Sequence, residues 1–311
     1  MILQLVQVVL PVFLVIGSGY IAARLKLIKD SVVDGLMIFT QGFAIPCLLF
    51  LNIMRLDLGA VFDWRLLVAF YTGVLASFTL GVFGARSLFR RRRGDSVAIG
   101  FAAMFSNTVL LGLPIMERAY GPAALAGNFA IISIHAPLLY LIGITMMEAA
   151  RADGRGVAGT ATAVTKAMFK NTLMIGLGLG FAVNLSGITL PSSVISAAEM
   201  VSRAALPAAL FGLGGILARY SLRASVGEAG MVSILKLMVL PGIVYVMCTA
   251  VFDLPIEFTR SAVVSASMAP GVNAYVFANM YNRAKGAAAS AVLLGTAASI
   301  FTASMWLWIL G

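Results

Sequence analysis

Long apolar stretches of about 20 residues follow one another along the chain, and only short polar segments separate them. A helix needs roughly 20 apolar residues to cross the hydrocarbon core of a bilayer, which is about 30 Å thick. This pattern predicts ten transmembrane helices. The predicted spans are Ile2 to Ala23, Val32 to Ile53, Leu66 to Phe89, Ser96 to Tyr120, Ala123 to Ala149, Asn171 to Leu190, Val194 to Ala218, Ala229 to Phe252, Ile256 to Tyr281 and Ala287 to Leu310.

An internal repeat divides the chain near its middle. When the sequence is displaced by 161 residues against itself, prolines, glycines and tyrosines fall on one another. The aligned pairs are Gly17 with Gly178, Gly19 with Gly180, Pro46 with Pro207, and Tyr120 with Tyr281. The pattern predicts a first five-helix repeat over residues 1–150, a cytoplasmic linker over residues 151–170 and a second five-helix repeat over residues 171–311.

The odd number of helices in each repeat determines how the two copies are related. With five helices each, the second copy must enter the membrane from the side opposite to the first. The predicted fold class is therefore an all-α integral membrane protein with ten transmembrane helices in two inverted five-helix repeats. Inverted repeats with interrupted helices near the midplane are typical of secondary transporters.

The distribution of charge predicts the orientation of the chain. Only 11% of the residues are charged, the net charge is +10, and most Lys and Arg residues lie in the odd-numbered loops, with the largest cluster at Arg90 to Arg93. Cytoplasmic loops carry the excess of Lys and Arg, so both termini are predicted to face outward from the cell inner (plasma) membrane. The basic cluster is interpreted as a contact with anionic lipid, and no nucleic acid partner is expected.

The composition gives no sign of catalysis. The chain has one histidine, His135, and two separated cysteines, Cys47 and Cys248, and it lacks the HExxH and GxSxG patterns. We therefore predict no enzymatic activity, no metal site and no cofactor. A channel is an alternative, because channels also line a path with polar residues, but interrupted helices in a repeat favour a carrier.

Prolines within the apolar stretches predict interruptions of the helices. Proline removes a backbone donor, so in lipid it persists only where protein or a cavity satisfies the freed groups. The candidate breaks are Pro46, Pro114, Pro207 and Pro270. Polar or flexible residues accompany two of them: Ser106, Asn107 and Thr108 in the fourth span, and Gly271 and Asn273 in the ninth.

Half-helix N-termini at such breaks attract anions, because their backbone N–H groups are unpaired and the helix dipole is positive there. The residues at the two polar breaks, together with Pro270, are therefore predicted to bind an anionic substrate. The alternative is that Asn107 and Asn273 only join neighbouring helices by hydrogen bonds.

Further polar positions each have a functional and a structural interpretation. Lys236 in the eighth span could attract the anion, or its ammonium could reach the cytoplasmic surface by snorkelling. His135 could serve proton coupling, or it could pack as a hydrogen-bonding residue. Glu199 and Arg203 are four residues apart and are predicted to pair. The glycine runs 176–180 and 212–215 suit packing in a scaffold or a homodimer interface equally well.

With these residues the chain resembles, over its whole length, the auxin efflux carrier family, which includes plant PIN proteins and bacterial malonate-type permeases, and the resemblance is most specific in the fourth and ninth spans. The motifs that carry the resemblance are Ser106-Asn107-Thr108, Gly112-Leu113-Pro114, Tyr120-Gly121, Tyr275-Val276-Phe277-Ala278 and Tyr281-Asn282, with Pro11 and Pro46 near the start. The resemblance implies a scaffold from spans 1, 2, 6 and 7 and a mobile transport domain from spans 3–5 and 8–10. It also implies that substrate binds where spans four and nine cross, in contact with Asn107.

The same resemblance implies a function. Span nine departs from the plant pattern around Pro270 and Asn273, which favours a small carboxylate over auxin as the substrate. We therefore expect a carrier that moves a small organic anion by alternating access in an elevator-like manner. A sodium-coupled bile-acid-type symporter of related architecture is the alternative, and uptake measured with and without sodium would distinguish the two.

Overall fold

The computed structural model describes residues 2–151, 172–221 and 225–311, and within these ranges the chain is helical, without a named β-strand. The prediction of an all-α fold is confirmed for this part of the chain. The predicted linker, residues 151–170, lies outside the described residues apart from Arg151.

The helices are numbered in chain order, and the letters a and b mark the two halves of an interrupted helix. Their bounds are α1 (Ile2–Arg24), α2 (Asp30–Met54), α3 (Trp64–Ser87), α4a (Arg93–Met104), α4b (Leu113–Tyr120), α5 (Ala126–Arg151), α6 (Thr172–Ser186), α7 (Ser192–Leu217), α8 (Val226–Val251), α9a (Ile256–Ser267), α9b (Val272–Met280) and α10 (Lys285–Leu310). Shorter helical turns are Leu58–Val61, Thr108–Gly112 and Pro122–Leu125.

Six helical stretches of the described chain are long and apolar enough to cross a membrane: α2, α3, α5 with the turn before it, α7, α8 and α10. Shorter apolar helices are Val8–Arg24 and Thr172–Ser186. The predicted fourth and ninth spans are not among the six, because each is interrupted and its halves hold only 8 to 12 residues. The protein is a multi-pass membrane protein.

Contacts divide the chain into two compact units. The first unit comprises Met1–Leu10, Asp63–Thr160 and Tyr220–Gly311, and it contains α3 to α5 and α8 to α10. The second unit comprises Pro11–Phe62 and Ala161–Arg219, and it contains α2, α6, α7 and most of α1. Neither unit is continuous in sequence, so helices from both halves of the chain build each core.

In the second unit, glycines bring helices into backbone contact. A Cβ on Gly19 of α1 would overlap the Phe211 carbonyl of α7, and Gly214 of α7 is confined in the same way by the backbone of α1. Gly176 of α6 meets the Pro46 backbone of α2. Small residues let membrane helices approach closely, which strengthens their van der Waals packing. These glycines therefore pack the inside of this unit, and a homodimer interface stays a prediction.

Two ion pairs join α2 and the residue after it to α7 and the segment that follows α7. Arg219 binds the Asp34 carboxylate at 2.6 Å, and Arg55, just after α2, binds the Glu199 carboxylate at 2.5 Å. The predicted pairing of Glu199 with Arg203 is therefore wrong. The carboxylate is bound instead by a guanidinium that follows the C-terminus of α2, where a cation also complements the helix dipole.

Pro46 and Pro207 do not unwind their helices, in contrast to the expectation from the sequence. The π-helical turn Thr40–Ala44 immediately precedes the segment that begins with Ile45 and Pro46, and such turns accommodate a lost α-helical bond. In α7 the helix is interrupted only at Ala204, three residues before Pro207, because a proline ring disturbs the turn before it. Both helices remain single apolar stretches.

Polar contacts also order the ends of helices in the first unit. Arg91, just before α4a, forms an ion pair with Glu228 in the first turn of α8. The Asp63 carboxylate caps α3 by accepting a hydrogen bond from the Arg65 backbone N–H at 2.8 Å. The Arg65 side chain also donates to this carboxylate and lowers the pKa of Asp63. The Arg91–Glu228 pair brings the loop after α3 beside the start of α8, whereas the Asp63 contacts fix the start of α3.

We predict that Gly19→Ala destabilises the protein and that Gly17→Ala, in the same helix, does not. A Cβ at Gly19 would overlap the Phe211 backbone, whereas a Cβ at Gly17 would meet no atom within 4 Å. Overpacking of this kind costs about 1–3 kcal/mol. Thermal unfolding of the detergent-purified variants measures the difference, and equal Tm values would contradict the close contact between α1 and α7.

Candidate functional site

The chain between α4a and α4b is unwound over residues 105–107. α4a ends at Met104, and helical structure resumes with the turn Thr108–Gly112, which leads into α4b. Pro114 follows the π-helical turn Thr108–Gly112 and lies six residues after the helix resumes, so its ring falls within helical structure. Pro114 therefore does not itself mark the break.

The chain between α9a and α9b is unwound over residues 268–271. α9a ends at Ser267, Pro270 lies inside the unwound segment, and Gly271 directly precedes α9b. A Cβ at Gly271 would stand 3.2 Å from the Phe105 ring. The absence of a side chain at this glycine lets the two unwound segments approach each other.

The two unwound segments satisfy each other's backbone groups. The Asn107 N–H donates to the Ala269 carbonyl and the Gly271 N–H donates to the Phe105 carbonyl, each at 2.9 Å. These bonds flank an antiparallel bridge between Ser106 and Pro270. In an apolar interior an unpaired backbone group costs several kcal/mol. Each interruption is therefore stabilised by the other.

Several polar side chains around this bridge are buried and have no hydrogen-bond partner among the described residues. The atoms concerned are Ser106 Oγ, Asn107 Nδ2, Ser233 Oγ and both ring nitrogens of His135. Ser233 Oγ and Pro270 both lie against Gly295, and the His135 ring packs edge-on to Phe105 with centroids 5.1 Å apart. Buried polar groups normally have partners, so this cluster is suited to binding a solute or water.

Lys236 belongs to the same region. Its side chain is fully buried, and its Nζ donates to the Ala266 carbonyl in the last turn of α9a. The residue lies on a π-helical turn of α8, Leu235–Val239, and such turns are frequent at functional sites. The ammonium therefore does not snorkel to the surface, which excludes the structural alternative raised by the sequence.

Asn273 lies two residues beyond the unwound segment, in the first turn of α9b. Its Oδ1 accepts a hydrogen bond from the Tyr140 hydroxyl at 3.3 Å. Tyr140 belongs to an aromatic cluster with Phe101, Phe105 and Phe277, in which the Phe101 and Phe277 rings stack at 3.9 Å. Asn273 is thus held by a neighbouring helix, in contrast to Asn107.

The structure brings together part of the predicted site. Ser106, Asn107, Pro270 and Gly271 form or flank the bridge, Thr108 begins the helical turn after it, and Lys236 binds the end of α9a. Pro46 and Pro207 lie in the other unit.

Sequence reasoning missed Ser233 and Tyr140. Ser233 precedes Lys236 by three residues on the same helical face, which is a signal that the sequence does contain.

Among the described residues, no group of three or more His, Cys, Asp or Glu side chains could hold a metal ion. The donors at the bridge are amide, hydroxyl, imidazole and ammonium groups. This set is suited to an anion, because each of these groups can donate a hydrogen bond and none carries negative charge.

The fold and the site define a class: a multi-pass membrane protein with two interrupted helices that meet in its interior, as in secondary transporters. The family described as "Membrane transport protein" matches residues 4–307. The chain belongs to this family, the auxin efflux carrier family, and the resemblance seen in the sequence is thereby confirmed.

Relatives over nearly the whole length are also transporters by name. The chain is 22% identical over 307 residues to the "Uncharacterized transporter YfdV" of Escherichia coli (strain K12), with 96% of each chain covered. It is 24% identical over 313 residues to a "Putative malonate transporter" of Rhizobium meliloti (strain 1021), with 99% of this chain and 96% of the relative covered. A shorter similarity, 30% over 154 residues, covers 47% of this chain and 17% of the mouse "Lysosomal cholesterol signaling protein".

We predict that Asn107→Ala leaves thermal stability nearly unchanged, whereas Asn128→Ala lowers it. Asn107 Nδ2 has no partner among the described residues, but Asn128 Nδ2 donates to Ser265 Oγ at 2.8 Å inside the same unit. Loss of such a buried bond costs about 1 kcal/mol, and more if its partner is left unpaired. A Tm for Asn107→Ala as low as that for Asn128→Ala would assign Asn107 a structural role.

Proposed function

We propose that the protein is a secondary transporter that moves a small organic anion across the cell inner membrane by alternating access. The observation that carries the proposal is the mutual pairing of the two unwound segments, with buried polar groups that lack partners beside them. Transporters bind solutes at interrupted helices of this kind, where backbone and side-chain donors are exposed to a cavity within an apolar interior.

The electrostatics of the bridge favour a negatively charged solute. The first turns after both interruptions place positive helix ends near Asn107 and Gly271. Lys236 adds a positive charge beside the end of α9a, and it forms no ion pair within the described residues. The carboxylate of a substrate would be stabilised by Asn107 Nδ2, Ser106 Oγ and the ammonium.

The names of the relatives support a carboxylate as substrate. The Rhizobium meliloti relative is named for malonate, a small dicarboxylate. We propose that this protein also transports a small carboxylate, and malonate is the appropriate first probe. His135, next to the Phe105 ring, is the proposed residue for proton coupling.

Two features support an arrangement of ten spans in inverted repeats. α4a and α9a have the same length of 12 residues, and both their starts and their ends are separated by 163 residues. Their unwound segments pair in antiparallel fashion, as expected for copies of opposite orientation. The separation exceeds the 161 residues of the sequence alignment by two, which implies a two-residue difference between the repeats before the interrupted helices.

The division into units supports an elevator-like mechanism. The second unit contains α2, α6, α7 and most of α1, and it corresponds to the proposed scaffold. The first unit contains α3 to α5 and α8 to α10 and carries the bridge, so it corresponds to the proposed transport domain. In this proposal the bridge and its bound anion move as part of one body.

We predict that purified protein in liposomes takes up radiolabelled malonate and that unlabelled malonate competes far better than malonamide. The positive site should prefer the ionised carboxylate to its neutral amide. If malonate is not transported, the same acid and amide comparison is made for a panel of mono- and dicarboxylates. Equal competition by acids and their amides would contradict the proposal.

We also predict that Asn107→Ala reduces malonate uptake by roughly tenfold or more, since a lost hydrogen bond to a charged group is worth about 1.5–3 kcal/mol. Gly17→Ala is the control, because a Cβ there touches nothing within 4 Å. Normal uptake by folded Asn107→Ala protein would remove this residue from the site.

The proposed orientation places both termini outside the cytoplasm. Alkaline phosphatase fused after Gly311 should be active, because this enzyme folds only outside, whereas the same fusion within the 151–170 linker should be inactive. A C-terminal reporter that works only in the cytoplasm would refute the proposed orientation.

A further inference from the structure

The C-terminal ends of the half-helices α4a and α9a each leave backbone carbonyls that need a hydrogen-bond donor from elsewhere in the protein. The last carbonyls of a helix have no intrahelical partner, and an apolar interior provides no water to bind them. In both half-helices the carbonyl of the penultimate residue is bound by a side chain from the preceding helix. Ala103 accepts from Ser77 Oγ of α3 at 2.7 Å, and Ala266 accepts from Lys236 Nζ of α8.

The two caps differ in charge. Ser77 carries a neutral hydroxyl, whereas Lys236 carries a fully buried amine that becomes a cation when protonated. A buried ammonium without a counter-ion is costly, and the negative end of the α9a dipole offsets only part of that cost. The hydroxyl at Ala103 indicates that a neutral donor is sufficient for capping. The presence of a lysine at Ala266 therefore requires another explanation.

The ammonium also has donors to spare. It carries three N–H groups, and its one hydrogen bond within the described residues is to the Ala266 carbonyl. Ser233, one helical turn earlier in α8, has a hydroxyl without a partner among the described residues. A polar group of a solute at the bridge would find unused donors here.

We propose that the Lys236 ammonium is the resident cation of the transport site, that is, a positive charge built into the protein in place of a bound metal ion. It binds the carbonyl end of α9a and the anionic group of the substrate at the same time. In other secondary transporters, such helix C-termini and unwound carbonyls coordinate a sodium ion. The tethered ammonium takes this position, so no free sodium ion is needed. The pairing with the substrate rests on the proposed function, whereas the occupation of the carbonyl site does not.

The first test uses no substrate. Lys236→Ala should unfold several degrees below the wild type in choline chloride, and methylammonium chloride at equal ionic strength should restore much of the loss by filling the vacated position. Ser77→Ala, which removes the neutral cap at Ala103, is the matched control and should respond to methylammonium no more than the wild type does. Absence of a specific recovery in Lys236→Ala would overturn the resident-cation role. If this variant is not recovered folded in choline chloride, purification in methylammonium chloride permits the same comparison.

The second test removes the charge and keeps a hydrogen-bond donor. Lys236→Gln keeps an uncharged N–H donor on a side chain one bond shorter, so its Tm should stay closer to that of the wild type than the Tm of Lys236→Ala does, while its affinity for malonate falls by roughly tenfold or more. Wild-type affinity in Lys236→Gln, or malonate uptake by the wild type that requires sodium over choline, would overturn the proposal. If the wild type does not bind malonate, the proposed substrate class fails, and the methylammonium experiment alone decides the role of Lys236.

Discussion

Backbone groups inside an apolar interior must be paired within the protein, and this constraint governs the whole site. Residues 105–107 and 268–271 can leave the helical conformation because they bind each other through Asn107, Ala269, Gly271 and Phe105. Within the described residues, neither segment forms a β-bridge with any other part of the chain. The crossing therefore depends on two helices that are 163 residues apart in sequence, and a change that separates them would expose carbonyl and N–H groups of both.

The same constraint explains where polar side chains are tolerated. Around the bridge, amide, hydroxyl and ammonium groups stand where backbone groups are already freed from helical bonding, so an additional solute adds partners without breaking existing ones. Ser77 and Lys236 satisfy corresponding carbonyls. Ser77 uses a neutral hydroxyl and Lys236 uses an ammonium. The two halves of the crossing therefore have the same backbone hydrogen-bonding arrangement but a different electrostatic environment.

Parts of the site could be read from residue chemistry, and other parts could not. Ser106 and Asn107 stood out because polar residues beside Gly and Pro are unusual in an apolar stretch, and the structure places them at the bridge. Prolines alone were poor guides: Pro46 and Pro207 stay within helical stretches, while Pro114 follows its unwound segment. Whether a proline breaks a helix depends on the partners available to the freed carbonyls, and those partners come from distant residues.

The sequence by itself determined that the chain is helical, membrane-embedded and polar at two interior positions, because hydropathy and helix length follow from local composition. Only the tertiary structure decided that these two positions pair and that Glu199 binds Arg55. It also decided that the Lys236 ammonium remains inside, on the Ala266 carbonyl. A flexible four-carbon side chain can reach either the surface or the interior from the same place in a helix. The difference is made by an unpaired carbonyl at the end of another helix, and no local pattern in the sequence around Lys236 encodes it.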